Sequence, residues 1–131
     1  MPNAFDAREL MAAARAVREH SYSPYSAFAV GAALLCEDGS VFAGCNVENA
    51  AYPLTICAEK AALGAAVSQG KRRFSAIAIA GPSDTATPPC GGCRQMLAEF
   101  APALPVLYSN GEDSYETTSL EKLLPAQFEL P

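Results

Sequence analysis

The sequence predicts a layered α/β domain, and three observations predict it. Stretches with apolar residues at helical spacing alternate with short apolar runs, in the order αββαβαβ(β)α. Two of those runs, AFAVGAALLC (27–36) and FSAIAIAG (74–81), are apolar at both parities, the pattern of strands covered by helices on both sides. Half of the 131 residues are hydrophobic, enough for one core, so residues 1–131 are expected to form a single domain.

The elements follow in order. Asp6 with Glu9 three residues on marks a helix start, and Leu10, Ala13, Ala14 and Val17 continue at helical spacing to about His20. The strand at 27–36 turns at Asp38-Gly39, a hairpin signal, and VFAGCNVEN (41–49) runs back. NAAYPLT is a loop whose Thr55 is expected to cap a helix from about 57 to 69, which ends near Gly70. After the strand at 74–81, PSDTATPP is a loop stiffened by its prolines. A helix from Cys90 to about Phe100 stops before Pro102. PVLYS is the next strand, an Asn110-Gly111 turn follows, and Tyr115–Thr118 is a short fifth strand. Ser119 is expected to cap the small helix LEKLL, stopped by Pro125.

Charge excludes several function classes. The net charge is −5, and KRR (71–73) is the one dense basic run, read as a solvated loop after a helix. Neither a nucleic-acid nor a membrane-surface partner is expected, because phosphate binding needs clustered Lys and Arg. No basic-then-apolar leader and no long apolar span is visible, so a soluble cytoplasmic protein is expected. Five cysteines without secretory context do not form a disulfide framework.

Reduced thiols then need a use. Cys90-x-x-Cys93 at a loop-to-helix junction is a metal bite, since a turn aims both sulfurs at one point; a redox pair is its rival. Cys57 stands at the start of another helix, where the macrodipole and free amide groups favour a thiolate. Together Cys57, Cys90 and Cys93 offer three thiolates to one tetrahedral zinc. His20 reads as a surface residue and Cys36 and Cys45 as core packing, so the fourth position is expected to stay open for water, as in catalytic rather than structural sites. Glu59, one residue beyond Cys57, is then within reach of that water as a proton shuttle. An isolated Glu in a first helical turn would read as a dipole partner. Asn46 and Glu48 share parity at a strand end, which puts their side chains on one face. Phe28 and Phe128 taken alone read as core.

CAE (57–59) followed by PCGGCRQ (89–95), with NVENAAY upstream, resembles the small homotetrameric cytidine deaminases. The likeness runs from YSPYSAFAVGAAL to LLPAQF. It implies a three-layer α/β/α domain with a central mixed sheet of about five strands. It implies one zinc per chain on Cys57, Cys90 and Cys93, and hydrolytic deamination of cytidine and 2′-deoxycytidine in pyrimidine salvage, hydroxide attacking C4 while Glu59 moves protons. It also implies that Asn46 and Glu48 bind the ribose 3′-hydroxyl, Ala58 contacts the base through its backbone, and Phe28 packs on the pyrimidine. Tyr52 and Phe128 would complete a neighbouring subunit's site. Many relatives carry Arg directly after the catalytic Glu. Lys60 keeps the charge without the planar fork of donors. Lys60 and Arg94 are candidates to offset the net negative charge of three thiolates on Zn2+.

Two other classes stay open on residues alone. A structural zinc module would have a fourth protein ligand and no turnover. A thiol-disulfide protein would bind no zinc and dispense with Cys57. Deamination of another free cytosine compound, such as a nucleoside antibiotic, is a nearer alternative that NVENAAY disfavours.

Overall fold

The computed structural model describes residues 5–131. Helix α1 (Ala7–Arg18) leads into strands β1 (Gly31–Cys36) and β2 (Val41–Cys45), and a single 3-10 turn (Tyr52–Leu54) precedes α2 (Ala58–Ser68). Strand β3 (Phe74–Ala80), α3 (Gly91–Ala98), β4 (Pro105–Ser109), β5 (Tyr115–Ser119) and α4 (Leu120–Leu123) complete the order. The five strands form one sheet, β2-β1-β3-β4-β5, in which only β3 and β4 are parallel. The mixed sheet and the element order match the expectation.

Each element has a local cause. Asp6 caps α1, its Oδ1 accepting from the backbone N of Arg8 at 2.9 Å and of Glu9 at 3.2 Å. The β1–β2 turn is closed at Gly39, whose φ of +92° is open to glycine, and Asp38 accepts from the backbone N of Ser40 at 3.0 Å. Lys71 of the basic run pairs with Asp38 at 2.7 Å, and Arg72 and Arg73 are exposed, as a solvated loop requires.

The sheet has two unlike faces. Leu10, Met11 and Ala14 of α1 cover Ala33, Ala76, Ala78 and Ala80, so the helix lies on small side chains. A Cβ on Gly31 would stand 2.2 Å from the carbonyl oxygen of Ala14, which shows how near α1 comes to the strand. On the other face α2 and α3 cover Ala32, Leu34, Ile77, Ile79 and Val106. All seven residues of β3 are buried, in keeping with a strand apolar at both parities.

Two strand boundaries and two helix caps depart from the sequence reading. Residues 27–30 are not strand, because side chains take up much of their backbone: Asn46 Nδ2 donates to the carbonyl of Phe28 at 2.8 Å, its Oδ1 accepts from the N of Val30 at 2.9 Å, and Arg18 Nε donates to the carbonyl of Ala29 at 2.7 Å. Strand β2 ends at Cys45 rather than 49. Cys57, not Thr55, occupies the N-cap of α2, and the Thr55 hydroxyl instead accepts from the backbone N of Asn49 at 3.2 Å. Ser119 stands at the N-cap of α4 without a capping bond, its Oγ buried and unpartnered. No helix among the described residues is long and apolar enough to cross a membrane.

Candidate active site

The two helix starts on the Leu/Ile face meet at one point. Cys57 is the N-cap of α2 and Cys90 the N-cap of α3, both with extended backbone and no side-chain cap, so each cysteine stands at the positive end of a helix dipole. Cys93 lies within the first turn of α3 and is fully buried. The three Sγ atoms all lie within 4.8 Å of one another. Three sulfurs on a tetrahedral zinc at about 2.3 Å stand about 3.8 Å apart, so the set fits one zinc ion. Among the described residues this group holds three donors, with His20 exposed and Cys36 and Cys45 outside it.

Close packing sets these helix starts. Gly44 of β2 faces α2: a Cβ there would lie 2.6 Å from the N of Ala62 and 2.9 Å from the O of Ala58. Any side chain at 44 would push the first turn of α2 away from the sheet. The approach to Cys90 is fixed from β4, where the buried Ser109 hydroxyl accepts from the N of Gly81 at 2.8 Å and its carbonyl accepts from the N of Thr87 at 3.1 Å. Arg94 holds the same loop, its Nε donating to the Pro89 carbonyl at 2.7 Å and its NH1 to the Leu123 carbonyl at 2.9 Å. That guanidinium is thus engaged with backbone oxygens. Lys60 is exposed on α2.

Charge in this corner is coupled. Cys57 is lowered to about 6, first by a hydrogen bond from Cys93 and then by the Lys60 charge and Cys90. The same bond, with burial, pushes the Cys93 thiol up. Glu59 is 5% exposed, and burial lifts its carboxyl to about 6, with the Cys57 charge adding to the rise. A carboxyl poised there exchanges protons readily near neutral pH.

A ladder of bridges brings the next group alongside. Val47 and Ile56 exchange two backbone hydrogen bonds of 2.9 Å, which sets the tail of β2 beside the residue before Cys57. On its other side Tyr22 donates to the Asn46 carbonyl at 3.0 Å and accepts from the N of Glu48 at 2.9 Å. Asn46 and Glu48 both turn to the 21–30 loop, in agreement with their shared parity. The Asn46 Oδ1 also accepts from the Ser21 hydroxyl. Glu48 Oε1 accepts from the backbone N of Tyr25 at 2.9 Å and of Ser26 at 3.1 Å, and Oε2 accepts from the Ser26 hydroxyl. That hydroxyl is the first cause holding the Glu48 carboxyl below its ordinary value.

A cleft of about 430 Å3 lies here, lined by Tyr25, Ser26, Glu48, Tyr52 and Thr55. Phe28 is 37% exposed and Tyr52 71% exposed, so neither is core. Ala58 is buried in the first turn of α2. Phe128 does not join this cleft. It lies 69% exposed on the C-terminal segment, whose backbone is tied to α3 by a 3.0 Å bond from Gln95 Nε2 to the Phe128 carbonyl. Sequence reasoning missed Ser21 and Ser26; the one signal was a serine- and proline-rich loop, which promises local turns but not distant partners.

The model of the cytidine and deoxycytidylate deaminase zinc-binding region matches residues 5–108. The chain is similar to the cytidine deaminase of Sporosarcina psychrophila, 47% identical over 124 residues that cover 94% of this chain and 91% of the relative. It is 46% identical over 124 residues to the cytidine deaminase of Halalkalibacterium halodurans, covering 94% of each. The crystal structure of cytidine deaminase from Burkholderia pseudomallei superposes with a TM-score of 0.90 at 46% identity, over 95% of this chain and 100% of that one. With the Cys57, Cys90 and Cys93 cluster in place, the chain belongs to the cytidine and deoxycytidylate deaminase family.

Proposed function

We propose that this chain hydrolyses cytidine and 2′-deoxycytidine to uridine and 2′-deoxyuridine with release of ammonia. The observation that carries the reading is the convergence of three cysteines at two helix starts beside a buried Glu59. Zinc held by Cys57, Cys90 and Cys93 supplies the Lewis acidity that makes water nucleophilic toward C4 near neutral pH. Glu59 would accept a proton from that water and deliver it to ring N3, then take the proton of the hydroxyl left on C4 and deliver it to the departing amine.

The remaining residues orient the nucleoside. Asn46 has one N–H left after its bond to Phe28, and Glu48 has acceptor capacity beyond its three bonds. One donor and one acceptor match a hydroxyl that accepts and donates, as the ribose 3′-hydroxyl does. Phe28 packs on the pyrimidine and Ala58 offers its backbone to the base. Lys60 offsets the negative charge of the thiolates through space. Tyr52 and Phe128, exposed in one chain, complete the site of a neighbour in a homotetramer. The setting is cytoplasmic pyrimidine salvage by a single catalytic domain.

The test pairs zinc content with cytidine absorbance for wild type and Glu59→Ala. One zinc per chain is expected in both, with turnover lower by at least about 10²–10⁴-fold in the variant. Zinc-free wild type, or a variant as fast as wild type, sinks the reading.

A further inference from the structure

The 21–28 loop is held in an unusual form. Ala27 has φ of +57°, a left-handed conformation unfavourable for a residue with a Cβ. Such a conformation persists only where the surroundings over-determine it. Here Ala27 donates its backbone N–H to the Ser23 carbonyl at 3.0 Å. On either side of Ala27 one hydroxyl does the rest. The Ser26 Oγ donates to Oε2 of Glu48 and accepts from the backbone N of Phe28 at 3.0 Å. Glu48 in turn accepts from the backbone N of Tyr25 and Ser26. The Phe28 carbonyl is taken by Asn46. Both backbone groups of Phe28 therefore end on side chains, and one of the two is Ser26.

We propose that Ser26 is a positioning residue: by bridging the Glu48 carboxylate and the Phe28 amide it fixes the Phe28 ring relative to the ribose-gripping pair. Base stacking and sugar grip are then one mechanical unit. The inference rests on the roles of Phe28, Asn46 and Glu48 given under the proposed function. It differs from them in predicting that Ser26 matters even to a substrate that cannot use Glu48. Ser26 is exposed, so its loss leaves the core intact.

The test compares wild type, Ser26→Ala and Ser26→Thr with cytidine and with 3′-deoxycytidine. Ser26→Ala should raise KM about tenfold for both substrates while kcat changes less than about twofold, and Ser26→Thr should restore most of the loss. In a Phe28→Ala background, Ser26→Ala should change KM by less than about twofold, because the ring it positions is gone. A second readout needs no turnover. With 4-fluorophenylalanine incorporated, the Phe28 fluorine resonance, identified by its loss in Phe28→Leu, should shift or broaden in Ser26→Ala and return in Ser26→Thr. An unchanged resonance overturns the proposal. So does a KM effect confined to cytidine, or one that persists in the Phe28→Ala background. Equal wild-type KM for the two substrates would remove the sugar grip alone, and an inactive wild type would remove the deaminase reading alone. In either case the fluorine resonance still decides for or against Ser26.

Discussion

The cysteine corner and the exposed aromatic rim are built in opposite ways. Most of the corner is fixed within one chain: Cys93, Ala58 and Glu59 are buried, and Gly44, Ser109 and Arg94 fix the helix starts and the loop from behind, with Cys90 left exposed. The rim is open: Tyr25, Phe28, Tyr52 and Phe128 stand 37–71% exposed, and Phe128 lies outside the cleft lining on a segment tied to α3. The difference teaches that chemistry needs atoms fixed against a rigid sheet, whereas exposed loop side chains stay free to meet whatever packs on them.

The largest expected effect comes from breaking the corner. Cys93→Ala should abolish zinc retention and lower kcat/KM by more than about a hundredfold, since loss of a partner one shell further out already costs about 10–100-fold. Zinc analysis and steady-state kinetics measure both, and an active one-zinc variant would erase the distinction between corner and rim.

A smaller effect is expected at the rim. Phe128→Ala should raise KM about three- to tenfold, the scale of one aromatic contact, with little change in the circular dichroism of the fold. Mixing tests where the ring acts. A Glu59→Ala chain carries an intact Phe128, and a Phe128→Ala chain carries an intact Glu59. Co-expressed, they should regain sites with wild-type KM if the rim is completed by a neighbour. Mixtures that keep the raised KM would place Phe128 outside any shared site.

The smallest effect is expected at Lys60. Lys60→Arg keeps the charge near Cys57 and should leave zinc content unchanged and kcat within about threefold. Complete loss of zinc or activity would show that the ammonium makes a contact an Arg fork cannot replace.

What was legible in the sequence divides along the same line. Cys90-x-x-Cys93, and Cys57 two residues before Glu59, are short-range patterns; a turn entering a helix fixes their geometry wherever the rest of the chain goes. Apolar runs at both parities likewise gave β3, and with it the sheet's centre. The expected strand at 27–30 failed because many of its backbone partners are side-chain atoms, those of Asn46 sixteen and eighteen positions away and of Arg18 eleven away. Nothing local marks such a bond. Nor does anything local mark the bonds of Arg94, whose guanidinium the fold ties to the carbonyls of Pro89 and Leu123. Thr55 read as a cap because hydroxyls commonly are. Two backbone bonds between Val47 and Ile56 carry the chain past it, and the helix begins at Cys57 instead.

The alanine-lined face under α1 bears on anyone wishing to diversify this chain. Where Leu34, Ile77 and Ile79 meet α2 and α3, volume can be traded among neighbours, one side chain shrinking as another grows. Beneath α1 there is less to trade: apart from Leu107 the buried sheet residues are Ala33, Ala76, Ala78 and Ala80, already near the minimum, and Gly31 touches the helix backbone itself. Libraries that randomise the first face should return many folded members, and the same number of changes on the second should return few.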